Sequence, residues 1–190
     1  MKNNHNIHDR QSIRLRGYDY YNPGLYFVTL VSHQHMNIFG AIRHEIMNLN
    51  QIGKIVKNTW HEITNHFPYV TINACVIMPN HIHGILQIKS VGARKKVSRQ
   101  RRQASPLHSS SPKEIRQPLG MIVGTFKSAA SKHIHRAGYL TGKTIWQRNY
   151  YEHIIRDDED YQRVIEYIEM NPINWELDNE NANNWNKDHR

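Results

Sequence analysis

Residues 69–88 read YVTINACVIMPNHIHGILQI. Two apolar, β-branched runs flank Met78-Pro79-Asn80. Proline lacks a donor for a sheet ladder and asparagine favours turns, so the stretch predicts a β-hairpin with strands over 69–78 and 81–88. Alternation in the second strand puts His81 and His83 on one side and Ile82 on the other. Two imidazoles on one side of a strand can share a metal ion. They can equally form a polar, solvated strand face.

Working outward, GLYFVTLVSH (24–33) predicts a strand and HEIMNLN (44–50) suits a short one. Residues 51–67 repeat apolar side chains at Ile52, Ile55/Val56, Trp60 and Ile63, the stripe of a helix. A second helix is predicted over 119–136, with Leu119, Ile122/Val123, Phe126 and Ala129/Ala130 on one face. A third over 157–172 opens on acids that suit the helix dipole and stops at Asn171-Pro172. Residues 142–156 are ambiguous, a short strand or a turn around Trp146. This order implies an α+β fold, a small antiparallel sheet with helices on one or both faces. One domain over 18–178 accommodates it, preceded by an irregular basic arm (1–17) and followed by a polar tail (179–190).

Composition narrows the setting. The chain has 190 residues, 38% of them hydrophobic, with no apolar run long enough to span a membrane and no apolar leader at its start. The single cysteine, Cys75, excludes an intramolecular disulfide and a multi-cysteine zinc site. A cytoplasmic protein without membrane partners is expected. The formal charge of +9 is concentrated: residues 89–116 hold nine lysines and arginines against one acid, Glu114. Within the Ser-, Pro- and Gln-rich insertion at 90–117, expected to be mobile, this charge suits a nucleic-acid partner; a solvated loop is the plainer alternative. Arg14, Arg16, Lys95, Lys96, Arg99, Arg101, Arg102, Lys127 and Arg148 are the candidate nucleic-acid contacts.

Fourteen histidines make chance pairs common, and geometry separates the three His-x-His triplets. His133 and His135 lie on a helix, where i and i+2 diverge by roughly 200°. His33 and His35 follow a strand end in SHQHMN, where nothing in the sequence fixes them. Only His81 and His83 combine strand periodicity with apolar neighbours. Two imidazoles without cysteine, completed by oxygen donors and water, suit Mn²⁺, or Mg²⁺ with less natural softness. On the last helix, Tyr167 and Asn171 are spaced i, i+4 and share a face at the flank of the buried stripe. Tyr167 can be a nucleophile or a half-buried helix tyrosine; Asn171 can be a ligand or simply a residue that ends a helix.

MPNHIHGIL, followed about sixty residues later by WQRNYYEHIIRDDEDYQRVIEYIEMNP, resembles the single-tyrosine HUH transposases, in particular the REP-associated tyrosine transposase-like branch. The likeness runs from GLYFVTL to about NPINW, interrupted by the insertion. It implies a ferredoxin-like or RRM-like sheet (the HUH nuclease fold), with His81 and His83 as metal ligands, Asn171 as the third protein ligand and Tyr167 as nucleophile. It further implies a single-stranded DNA substrate, often hairpin-marked, cut to a 5′-phosphotyrosine and a free 3′-OH and later resolved by strand transfer. His153 is the histidine nearest the Tyr167 helix in sequence, as a general base or a structural residue. Three other functions compete: a domesticated hairpin-binding protein that does not cut, another HUH nuclease such as a relaxase, and a hydrolase that uses water. A homodimer, with Tyr167 acting in cis or in trans, is compatible with the sequence.

Overall fold

The computed structural model describes residues 20, 22–90, 118–181 and 184. The arm at 1–17, nearly all of the insertion and most of the tail lie outside the described residues, and with them Arg14, Arg16, Lys95, Lys96, Arg99, Arg101 and Arg102. In chain order the elements are β1 (Gly24–Val31), β2 (Gly40–Arg43), β3 (Ile46–Leu49), α1 (Gln51–His61), α2 (Ile63–His66), β4 (Val70–Ile77), β5 (His81–Ile88), α3 (Leu119–Arg136), β6 (Tyr151–Ile155) and α4 (Asp158–Met170). Short 3-10 turns lie at His33–His35 and Trp175–Leu177. The hairpin forms as its sequence requires, and β5 becomes an inner strand of an antiparallel sheet ordered β4-β5-β1-β6.

Each face of this sheet buries a different set of side chains. Tyr26, Val28 and Leu30 of β1 and Ile82 and Leu86 of β5 pack with Val56 and Trp60 of α1 and Ile122 and Phe126 of α3. The alternate residues Phe27 and Ile85, with Ile155, meet Ile168, Val164 and Ile165 of α4 on the other face. The histidine side of β5 is therefore the α4 side. The Asp157 side chain accepts the Asp160 N–H at 2.8 Å to cap α4, which contributes about 1 kcal/mol. Acids at 158–160 add a favourable dipole interaction.

Three elements depart from the sequence expectation. The helix read over 51–67 breaks at Glu62 into α1 and α2. β2 pairs with β3 through His44-Glu45, both at positive φ, a two-residue turn built without the glycine that usually announces one. The ambiguous 142–156 stretch resolves into both of its alternatives: Trp146 bridges Ser32, and β6 follows as an edge strand.

Gly84 follows His83 and faces the opposite side, where a Cβ would run into the indole of fully buried Trp60. Gly84→Ala should therefore cost about 1–3 kcal/mol. Urea denaturation should show that loss, and Trp60→Phe on the Gly84→Ala background should recover part of it.

Candidate active site

The sheet register builds the site in a row. Val76, His83, Thr29 and Tyr151 are cross-strand partners on β4, β5, β1 and β6, so all four point to the α4 face. His81, two residues before His83, stands beside it with ring centroids 4.4 Å apart. Both imidazoles are buried. Burial holds the His81 ring below its ordinary pKa against the pull of Asp178 and Glu180, and holds His83 well below, with His81 adding to the effect. Both are thus neutral at pH 7, the form in which imidazole binds metal.

Asn80 fixes which nitrogen of His81 is bare. Its two amide N–H groups donate to the carbonyls of His35 (3.1 Å) and Glu180 (2.7 Å). Its oxygen therefore faces His81 Nδ1 at 2.8 Å and accepts that N–H. The lone pair is left on Nε2, which is buried without a hydrogen-bond partner among the described residues. His83 differs. Its Nδ1 meets Thr29 Oγ1 at 2.8 Å and its Nε2 meets the Tyr167 hydroxyl at 3.2 Å, and hydroxyls suit either tautomer.

Tyr167 and Asn171 share the expected helix face and reach the same place. The Tyr167 ring lies 5.0 Å from that of His83 and packs edge-on against Phe27. Burial of its hydroxyl, and after it the Asp178 carboxylate, pushes the phenol up to about 12, with the Asn171 amide pulling the other way. Asn171 caps the end of α4, and its Nδ2 donates to Asp178 Oδ2 at 3.0 Å. Its Oδ1 is buried with no hydrogen-bond partner among the described residues.

Asp178 is the residue that the sequence did not reveal. The chain turns after Pro172, passes the 3-10 turn anchored by buried Trp175, and returns this carboxylate to the histidines. Asp178 Oδ2 lies 3.8 Å from His81 Nε2, while Oδ1 accepts the Glu180 N–H. One nitrogen from each of His81 and His83 and one oxygen from Asp178 lie within 4.8 Å of one another. That spread is close to twice a metal–oxygen bond of about 2.1 Å. Among the described residues no lysine or arginine pairs with this buried carboxylate. Two neutral imidazoles, a buried anion and two unpartnered polar atoms fit a divalent cation.

The other candidates fall elsewhere. His133 and His135 diverge, the first to Thr59 Oγ1 and the second to the carbonyl of Lys143. His35, which the sequence left unfixed, is buried and pairs with Glu180 at 3.1 Å, behind Asn80. Residues 179–181, read as the start of a polar tail, thus pack against the site. His153 Nε2 pairs with Asp160 Oδ2 at 2.8 Å, which gives it a structural role at the start of α4. Lys127 extends its amine to the carbonyls of Gln147 (2.7 Å) and Asn149 (2.9 Å), and burial pulls it down to about 8. Arg148, between those carbonyls, is exposed. No helix among the described residues is long and apolar enough to cross a membrane.

A His-Ile-His strand inside an antiparallel sheet, with a helix-borne tyrosine over it, is the arrangement that the sequence resemblance implies, the HUH nuclease fold. No protein-family model matches the chain. A Haemophilus influenzae protein described as "Uncharacterized protein" is 42% identical over 178 residues, covering 93% of this chain and 96% of that one. A second protein from the same organism, described as "Putative REP-associated tyrosine transposase", is 27% identical over 82% of this chain and 73% of its own length. The solved structure of a REP-associated tyrosine transposase bound to a REP hairpin shares the fold, with a TM-score of 0.54 at 20% identity over 83% of this chain and 72% of that chain. The chain is thus similar in sequence to a REP-associated tyrosine transposase and shares the fold of one, which agrees with the resemblance carried by its motifs.

Removing the Lys127 amine would leave two carbonyls of the 147–149 loop without their donor. Lys127→Met should cost about 1–2 kcal/mol in urea denaturation. Arg148→Ala should stay within about 0.5 kcal/mol of wild type.

Proposed function

We propose that this chain is a metal-dependent transposase that nicks single-stranded DNA at hairpin-marked sites and transfers the strand through a 5′-phosphotyrosine. The observation that carries this reading is the 3.2 Å approach of the Tyr167 hydroxyl to His83 Nε2. It supports the reading because a phenol beside a site fitted for a cation is an arrangement that nucleic-acid binding alone does not require. Tyr167 Oη attacks phosphorus and gives up its proton as the O–P bond forms. The bond from phosphorus to the 3′-oxygen breaks, and that oxygen leaves as a 3′-OH after taking a proton. A 3′-OH attacking the phosphotyrosine reverses the step and completes strand transfer. No nucleotide cofactor is needed, because the tyrosyl ester conserves the phosphodiester energy.

His81 and His83 would hold the ion, as the family resemblance implies, with Asn171 Oδ1 as the implied oxygen donor. Asp178 adds a carboxylate that the resemblance does not name. Bound there, Mn²⁺ or Mg²⁺ would neutralise phosphate charge and stabilise the leaving oxygen. Single-stranded DNA suits the site because the scissile bond must bend into it, and a duplex resists bending. In this reading residues 18–178 form one catalytic domain. The basic insertion at 90–117, together with Arg14 and Arg16, supplies phosphate contacts that are not sequence-specific.

Tyr167→Phe keeps the ring and removes the attacking oxygen. Covalent attachment of a labelled, hairpin-bearing single-stranded oligonucleotide with Mn²⁺ should disappear, while Tyr161→Phe, on the same helix but packed into the core, should retain it. Phosphate mapped to Tyr150, Tyr151 or Tyr161 would reassign the nucleophile. Strand cleavage without any adduct would favour a hydrolase that uses water.

Asp178→Asn keeps the shape and removes the charge. Calorimetric titration of the DNA-free protein should show Mn²⁺ affinity reduced by about tenfold or more, the scale of a lost partner at a metal site. Unchanged affinity would return the oxygen position to Asn171 alone.

A further inference from the structure

Tyr151 is the outermost member of the cross-strand row that contains His83 and Thr29. It lies on β6, the edge strand, and keeps 43% of its surface exposed. Most of this sheet face is covered by α4 through Phe27, Ile85, Ile155 and Ile168. Phe27 contacts two exposed tyrosines edge-on, Tyr151 at 6.3 Å and Tyr167 at 6.0 Å between ring centroids. The two phenols thus flank one buried ring. Strand spacing of about 4.8 Å puts the backbone of Tyr151 roughly 10 Å from that of His83, across β1. That is about one to two nucleotide steps along a single strand.

The approach to Tyr151 is also built. Arg148, exposed, stands three residues before it in a loop fixed on three sides. The Gln147 N–H donates to the carbonyl of Val31, and the Lys127 amine reaches the carbonyls of Gln147 and Asn149. A cation and an aromatic ring therefore lie on neighbouring, anchored backbone beside the candidate nucleophile. Single-stranded nucleic acid is bound by this pairing, phosphate on the cation and base on the ring.

We propose that Tyr151 is a base-stacking residue that receives a nucleobase adjoining the phosphate presented to Tyr167. The assignment rests on the proposed single-stranded DNA substrate and adds to it the subsite that holds the strand in register. Stacking needs the ring and not the hydroxyl, so phenylalanine and tryptophan substitute for tyrosine and alanine does not.

The test measures binding without metal, so that it does not depend on cleavage. Fluorescence anisotropy compares a labelled 20-nucleotide oligothymidylate with a fully abasic strand of the same length. Wild-type protein should prefer the strand with bases. Tyr151→Ala should bind it about tenfold more weakly, as expected for one lost stack, and should lose most of its preference over the abasic strand. Tyr151→Phe and Tyr151→Trp should keep both properties, as should Tyr139→Ala, an exposed tyrosine beyond the end of α3. A wild-type protein indifferent to the bases, or a Tyr151→Ala variant with undiminished preference, overturns the assignment. An adduct on wild-type Tyr167 with undiminished preference in Tyr151→Ala would remove this subsite and leave the proposed reaction standing. Lost preference in Tyr151→Ala with no adduct on the wild type would do the reverse.

Discussion

The site depends on the side chain of Asn80, which has no exposed surface and spends every polar atom on a different part of the chain. One N–H holds the 3-10 turn after β1, the other holds Glu180 near the end of the described chain, and the oxygen holds the His81 ring. Three segments remote in sequence are thereby brought to the mouth of the β4–β5 hairpin. The same bonds decide a question of protonation. With both donors committed, only an acceptor remains for His81 Nδ1, and the lone pair of Nε2 must face Asp178. The turn that reverses the hairpin and the chemistry of its first residue are one constraint.

Around this point the protein departs from the composition of an ordinary core. Asn80, His81, His83, Asn171 and Asp178 are all buried within one corner of the sheet. Such a cluster opposes folding unless its members satisfy one another, and here they do so incompletely, leaving His81 Nε2 and Asn171 Oδ1 without partners among the described residues. The apolar packing beneath compensates. Ile168, next to Tyr167 in sequence, is buried with Phe27, Ile85 and Ile155, while Tyr167 remains half exposed. The helix is fixed by one residue and presents the next.

Much of this was legible because it rests on periodicity. Alternation of two identified the hairpin and placed both histidines on one face; spacing of four joined Tyr167 to Asn171. Helix α3 matched its apolar stripe over 119–136. What the sequence hid is what periodicity does not encode. The β2–β3 turn uses His44 and Glu45 at positive φ, where no residue type signals a turn. Asp178 follows a proline and a short 3-10 segment, so no repeat links it to the histidines, and the one hint is an isolated buried tryptophan, Trp175, in a polar stretch. Lys127 read only as a candidate nucleic-acid contact; that its amine also tethers the 147–149 loop was hidden, because the carbonyls it holds lie some twenty residues away. His35 looked unfixed for the same reason, its partner Glu180 lying 145 residues further along the chain.

The contact between Tyr167 and His83 couples nucleophile to cation on the proposed mechanism. His83 Nε2 has one position to offer. In the structure it is taken by the Tyr167 hydroxyl, and a ligating imidazole would have to release it. The phenol, held near 12 by burial and by the Asp178 carboxylate, is a poor nucleophile in that arrangement. On that mechanism a cation held in part by Asp178 would offset the carboxylate charge that disfavours the phenolate.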